Sequence, residues 1–584
     1  MGTKERTLVV TKQRVSCGLR SEPNLTLFVS FIYPFVSSFI SFSLLFFFFF
    51  SIFVIPTSLP SLSSFNSILL YPLMGCVHSK NIEPVNHVVS RRLNNNNEKV
   101  SSSSSSSSFN SPPAYDQDMK LDLHPSDPSP ILTEPHGINN PKAALRQERV
   151  HQLSESFNAD PKNRMVQNAA HSLDFTTLIT NREVMIADNH VFNTKIPIES
   201  MVTNQKSSGR CWIFAALNVF RVEVMKKYNL EEFELSQGYL FFWDKFEKSN
   251  WFLECMIDLR DRDVNDRVVQ HLLKEPVNDG GQWDMLVNLV ERYGVVPKAL
   301  YPESFSSSSS GKLNNLVISK LRDHAVVLRR MAALGRSVEE LRAEKDKCLK
   351  EIYNILAITL GEPPKKSFTW SFRNKDKKYF EFQNVTPQSY FRDHVGYPVA
   401  DTISIVNDPR NKTMELYTVQ YLGNISGGHP IRYVNAPIDD LKALAIKKLS
   451  SGKPVWFGAD VGKYLHRDAG ILDPKVFQYD LAFNISFNMT KAERLIHGES
   501  LMTHAMVFTG VHLDEHGKPV RWRVENSWGD VGGDKGYLTM SDAWFSEFVY
   551  QVVLEKAITP KKYLDVLEKE VHVLPAYDPM GALA

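Results

Sequence analysis

The stretch Asn204-Gln205-Lys206-Ser207-Ser208-Gly209-Arg210-Cys211-Trp212-Ile213-Phe214-Ala215-Ala216 constrains this chain more than any other. A polar turn containing glycine runs into a cysteine, and an apolar, alanine-rich run continues through Val219 and Phe220. The pattern predicts a loop feeding a helix, with Cys211 at or near the helix N-terminus. Partial positive charge there favours thiolate over thiol, and a neighbouring histidinium favours it further. Gln205, upstream in the loop, offers a side-chain amide where an oxyanion would form. A buried cysteine on a helix is otherwise a small hydrophobe. The rest of the chain has to decide between the two.

Two later stretches supply partners. Leu501-Met502-Thr503-His504-Ala505-Met506-Val507-Phe508 puts one histidine in an apolar run that reads as a buried strand. On its own it is a core histidine. Arg521-Trp522-Arg523-Val524-Glu525-Asn526-Ser527-Trp528-Gly529 reads as a second strand. Asn526 at its end can fix the ring and tautomer of His504, and Trp528 can shield that bond from water.

Gln, Cys, His and Asn in this chain order resemble the papain-like cysteine peptidases, and within them the bleomycin hydrolase family. The resemblance runs from about Leu153 to Ala584. It takes in Asp279-Gly280-Gly281-Gln282-Trp283-Asp284-Met285, Asn435-Ala436-Pro437-Ile438-Asp439 and Lys453-Pro454-Val455-Trp456-Phe457-Gly458. Secreted papains carry a cysteine three residues before the nucleophile, where this chain has Ser208. The separation of Cys211 and His504 also far exceeds the roughly 130–150 residues usual in papain-like enzymes, so extra structure is inserted between them.

The resemblance implies an α+β papain-like fold, with a helical lobe, a β lobe and an inserted helical subdomain at about residues 313–362. It implies catalysis by Cys211, His504 and Asn526, with Gln205 at the oxyanion and Trp528 as the shield. It implies peptide and bleomycin-like substrates, a homohexamer, and a C-terminal tail, residues 575–584, lying in the cleft. Ala584 would then meet the substrate α-amine. Nucleic-acid binding, also associated with the family, is the alternative function. No cofactor is expected: the chain has no His-Glu-x-x-His, no Cys-x-x-Cys and no phosphate-binding glycine loop.

The first 145 residues are of another character. Leu25 to Pro56 is uncharged and largely apolar, a membrane-span candidate by length. Phe, Ser, Leu and Pro dominate Phe28 to Leu73, as translation of a pyrimidine-rich upstream tract would produce. We therefore read residues 1–73 as a leader preceding the true start at Met74. Met74-Gly75-Cys76-Val77-His78-Ser79 then becomes an N-myristoylation signal on Gly75, with Cys76 available for palmitoylation as a second membrane anchor. Residues 74–145, with an asparagine run and a serine run, read as a disordered tether, and 146–584 as the peptidase domain.

Charge and cysteines bound the rest. Five basic against two acidic residues give residues 1–73 a net charge of +3, while the whole chain is +2. The remainder is thus near −1 and has no basic bias toward nucleic acid. Only Cys211, Cys255 and Cys348 lie in the peptidase domain, too few for a disulfide framework, which points to the cytoplasm. Locally, periodicity predicts helices over 160–172, 217–227, 236–246, 264–274, 285–293 and 313–360. Glu183 to Phe192 reads as strand-like, and Ser304 to Ser310 as an exposed loop.

Overall fold

The computed structural model describes residues 143–364 and 366–584. The candidate acylation residues Gly75 and Cys76, the apolar leader and most of the tether lie outside the described residues. Among the described residues, no helix is long and apolar enough to cross a membrane.

Helix Cys211–Tyr228 is the axis of the helical side. Its side chains are buried nearly all round, from Trp212 and Phe214 to Val224. A helix apolar on every face has to be enclosed on every face. Gln237–Asp258 packs beside it, opened by the Ser236 side chain accepting the Tyr239 N–H. The inserted subdomain is a hairpin of two long helices, Gly311–Ala333 and Val338–Leu360. Leu313, Val317, Leu321 and Leu328 on the first, with Leu341, Cys348, Ile352 and Leu356 on the second, form its buried stripe. A reciprocal cap between Ser337 and Glu340 starts the second helix.

The other side is one mixed sheet. Its central strands run Thr402–Val406, Val549–Glu555, Val455–Ala459, His504–Leu513, Pro519–Glu525 and Tyr537–Ser541, each hydrogen-bonded to the next. Every residue from His504 to Val511 is buried, because helix Cys211–Tyr228 covers one face and Ile438–Ser450 the other. The layers are also joined by polar contacts. Arg221 on the helix pairs with Glu525 on the strand, both nearly fully buried, and Trp456 Nε1 donates to the Trp212 carbonyl at 3.2 Å.

Two local expectations are overturned. Arg182–Ala187 is a short helix, because the Asn181 side chain accepts the Glu183 N–H and caps it. The serine run is not an exposed loop. Phe305–Ser308 is a helical turn with a reciprocal Ser304–Ser307 cap, and Ser307 and Ser310 are each only 2% exposed.

Candidate active site

Cys211 is the first residue of its helix, delivered by a loop that is stitched to the strand end carrying Asn526. Gln205 N–H donates to the Ser527 carbonyl at 2.8 Å, and Gly529 N–H to the Thr203 carbonyl at 2.9 Å. The Ser527 hydroxyl donates to Gln205 Oε1 at 2.5 Å. Two segments remote in sequence are thereby held in one register. Gln205 Nε2 donates to the Ser208 carbonyl at 2.5 Å, which takes one of its two hydrogens and leaves the other.

His504 and Asn526 meet at 2.9 Å, His504 Nε2 to Asn526 Oδ1. That same oxygen accepts the Ser527 N–H at 2.8 Å, which orients it as the acceptor. His504 Nε2 therefore carries the proton, and Nδ1 is left as the basic nitrogen. The Trp528 ring lies 5.2 Å from the imidazole, tilted by 37°, and the Arg467 guanidinium lies 5.0 Å from the Trp528 ring centroid. The helix that Cys211 opens packs against the strand that His504 begins.

Burial acts on both members of the pair. It pushes the Cys211 thiol up to about 11, against the pull of the N–H groups of Ala505, Trp212 and Cys211. It pushes the His504 imidazole down to about 4, against the Asn526 hydrogen bond and with help from the Arg467 charge. Burial thus opposes the thiolate that the helix N-terminus favours.

The tail occupies the neighbouring strip. Gly281 N–H donates to the Ala584 carbonyl at 3.0 Å, and Ala584 N–H to the Gly281 carbonyl at 3.3 Å. Gln282 Nε2 donates to the Ala582 carbonyl at 2.5 Å. Ala584 is only 2% exposed. This is β-type pairing of the tail with the loop beside Cys211.

That loop rests on a polar hub whose role sequence reasoning missed. Asp279 pairs with the buried Lys245 ammonium at 2.6 Å and accepts from Gly209 N–H at 3.0 Å, Asn314 Nδ2 at 2.8 Å and the Ser310 hydroxyl. Burial alone would raise the carboxyl, but Lys245 and these donors hold it well below the usual carboxylate range. Trp212 Nε1 donates to the Asp279 carbonyl at 2.7 Å, and Lys248 Nζ to the Gly280 carbonyl at 2.5 Å. One residue thus ties the Cys211 loop, the tail-pairing loop and the helical insert together.

Residues 144–581 match the model of the Peptidase C1-like family. The chain belongs to that family. Its relatives include bleomycin hydrolase of Rattus norvegicus, 47% identical over 76% of this chain and 100% of that protein. Aminopeptidase C of Streptococcus thermophilus is 44% identical over 76% of this chain and 99% of that one. The crystal structure of PepW from Lactobacillus rhamnosis HN001 superposes with a TM-score of 0.74 at 46% identity, covering 76% of this chain and all of that one. Like other members of the Peptidase C1-like family, this chain is a papain-like cysteine peptidase. Among its described residues no group of His, Cys, Asp or Glu is arranged to hold a metal.

Proposed function

We propose that the chain is an aminopeptidase that removes residues from the N-termini of peptides and hydrolyses the amide of bleomycin-like compounds. Cys211 is its nucleophile. The thiol proton passes from the Cys211 sulfur to His504 Nδ1, and the sulfur bonds to the substrate carbonyl. Asn526 keeps the proton on Nε2 and so keeps Nδ1 basic. Gln205, through its remaining hydrogen, and the Cys211 N–H take the oxyanion. His504 then gives its proton to the leaving amine, and water, deprotonated by the same imidazole, releases the thioester.

The pairing of Ala584 with Gly281 carries the exopeptidase reading. A tail strand in that position fills the subsites where the N-terminal side of a longer substrate would run. A carboxylate at Ala584 would pair with a protonated α-amine. The test is a paired assay of a free-amine and an N-acetylated aminoacyl fluorogenic substrate, on the full chain and on a chain lacking residues 575–584. The ratio should move toward the acetylated substrate on truncation, and an unchanged ratio would sink the reading.

The assembly and its place in the cell belong to the same proposal. Helix Gln147–Ala159 buries none of its residues in this chain, and Val150, Leu153 and Phe157 form an exposed apolar row. A second copy would cover it, consistent with a homohexamer, and sedimentation at dilute concentration showing only monomer would refute that. A cytoplasmic location fits three buried free cysteines. It also fits Asn424, in an Asn-Ile-Ser acceptor pattern, being fully buried with its Nδ2 donating to the Met285 carbonyl at 3.0 Å. Acylation at Gly75 and Cys76 would tether the enzyme to the membrane, and an intact mass without acyl groups would remove that part of the proposal.

A further inference from the structure

The tail enters the cleft under restraint. Strand Val571–Leu574 runs parallel to Leu416–Val419, and Gln420 N–H donates to the Leu574 carbonyl at 2.9 Å. The chain then turns at Asp578, whose carboxylate accepts the Met580 N–H at 2.8 Å and caps the turn Pro579–Gly581. The same carboxylate faces Arg410, with Nη2 donating to Oδ1 at 2.8 Å and Nη1 to Oδ2 at 3.4 Å.

Arg410 is fixed before the tail reaches it. Its Nε donates to Asp408 Oδ1 at 3.0 Å and its Nη2 to Asp408 Oδ2 at 2.7 Å, a two-pronged pairing that sets the plane of the guanidinium. Asn435, fully buried, holds the loop that carries both. Its Oδ1 accepts the Asp408 N–H at 2.8 Å, and its Nδ2 donates to the carbonyls of Asp408, Asn411 and Lys412 at 3.0, 2.9 and 3.1 Å. Asp408 already neutralises the guanidinium, so the second carboxylate is recruited for position. Side chains of Arg410 and Asp578 are each 14% exposed, which shelters the pair from water and salt.

Little slack separates this clamp from the cleft. Pro579 fixes its own φ, Met580 is buried, the Ala582 carbonyl is held by Gln282, and Ala584 is paired to Gly281. We propose that Arg410 is a positioning residue for specificity: the Asp408–Arg410–Asp578 clamp sets how far the tail reaches along Gly281, and so how many substrate residues fit between the tail end and Cys211. The inference rests on the aminopeptidase reading of the tail.

Asp578→Asn tests it with little risk to folding, since asparagine caps a helical turn as well as aspartate does and only the charge is lost. Arg410→Gln is the second variant. For each, kcat and KM are measured on a free-amine aminoacyl substrate and its N-acetylated counterpart, beside the parent and the chain lacking residues 575–584. Both variants should raise KM for the free-amine substrate about fivefold to tenfold with kcat within about twofold, as loss of one charged hydrogen-bonded contact implies. Turnover of the acetylated substrate should rise. A ratio unchanged in both variants but shifted by truncation overturns the clamp and leaves the tail reading standing. A ratio unchanged by truncation as well overturns the tail reading itself. Equal loss of kcat on both substrates marks a purely structural role and also overturns the clamp.

Discussion

Ala584 and Gly281 exchange both of their backbone hydrogen bonds, at 3.0 and 3.3 Å, in the strip next to the cysteine helix. Such reciprocal pairing is that of neighbouring antiparallel strands, and it means that the tail is read by backbone rather than by side chain. Glycine at 281 is required for a second reason. A Cβ there would lie 2.5 to 2.6 Å from atoms of the Trp212 ring, which is itself fully buried and bonded to the Asp279 carbonyl.

Gly281→Ala should therefore push the pairing loop off Trp212. We expect a stability loss of about 1–3 kcal/mol, as for overpacking a rigid core, together with loss of tail seating. Gly311→Ala is the control, because a Cβ at the start of that helix meets nothing within 4 Å. Urea unfolding of the two variants should separate them, and equal midpoints would show that the loop yields freely.

The Asp279 hub gives a larger expected effect. Asp279→Asn leaves the Lys245 ammonium, with no exposed side-chain surface, without its carboxylate partner. Breaking a buried pair from one side costs about 3–5 kcal/mol. Pairing the change with Lys245→Met should recover much of that loss in urea midpoints. A double variant no better than Asp279→Asn alone would mean that the hub works through Ser310 and Asn314 instead.

The groups proposed to react were visible in the sequence because each sits in a local signature: Cys211 after a polar turn, His504 in an apolar strand, Asn526 before Ser527 and Trp528. The helical hairpin was visible too, since its apolar stripe repeats at helical spacing over both arms. Asp279 stood inside a recognised motif, but its partners come from two remote places, Lys245 in one helix and Ser310 and Asn314 at the start of another, and no local pattern joins them. The serine run misled because serine composition suggests solvent, whereas here the hydroxyls cap a turn and serve Asp279. The burial of Cys211 was hidden for a related reason: a helix end can be read from sequence, while the depth of burial that opposes it cannot.

That burial predicts a pH profile. The folded His504 resists protonation until about pH 4, whereas the unfolded imidazole takes its proton near 6.5. The unfolded state therefore binds more protons across that window, and stability should fall by about 3 kcal/mol as pH drops through it. Cys211 acts at the other end. Folded, it keeps its proton to about 11, while the unfolded thiol releases it near 9.0, so stability should decline by about 3 kcal/mol as pH rises across that interval. Urea unfolding from pH 4 to 11 on the parent and on His504→Gln checks the acid limb. A limb of unchanged depth in the variant would mean that other groups produce it.

The proposed mechanism turns on the sulfur of Cys211. Turnover of a free-amine aminoacyl fluorogenic substrate by Cys211→Ser, measured beside the parent protein, tests this most directly. Serine keeps the shape of the site but lacks a thiol to activate, so the rate should fall by about 10⁴-fold or more with the thermal unfolding transition unchanged. Activity retained within about tenfold of the parent would contradict the assignment of Cys211, and with it the mechanism built on His504 and Asn526.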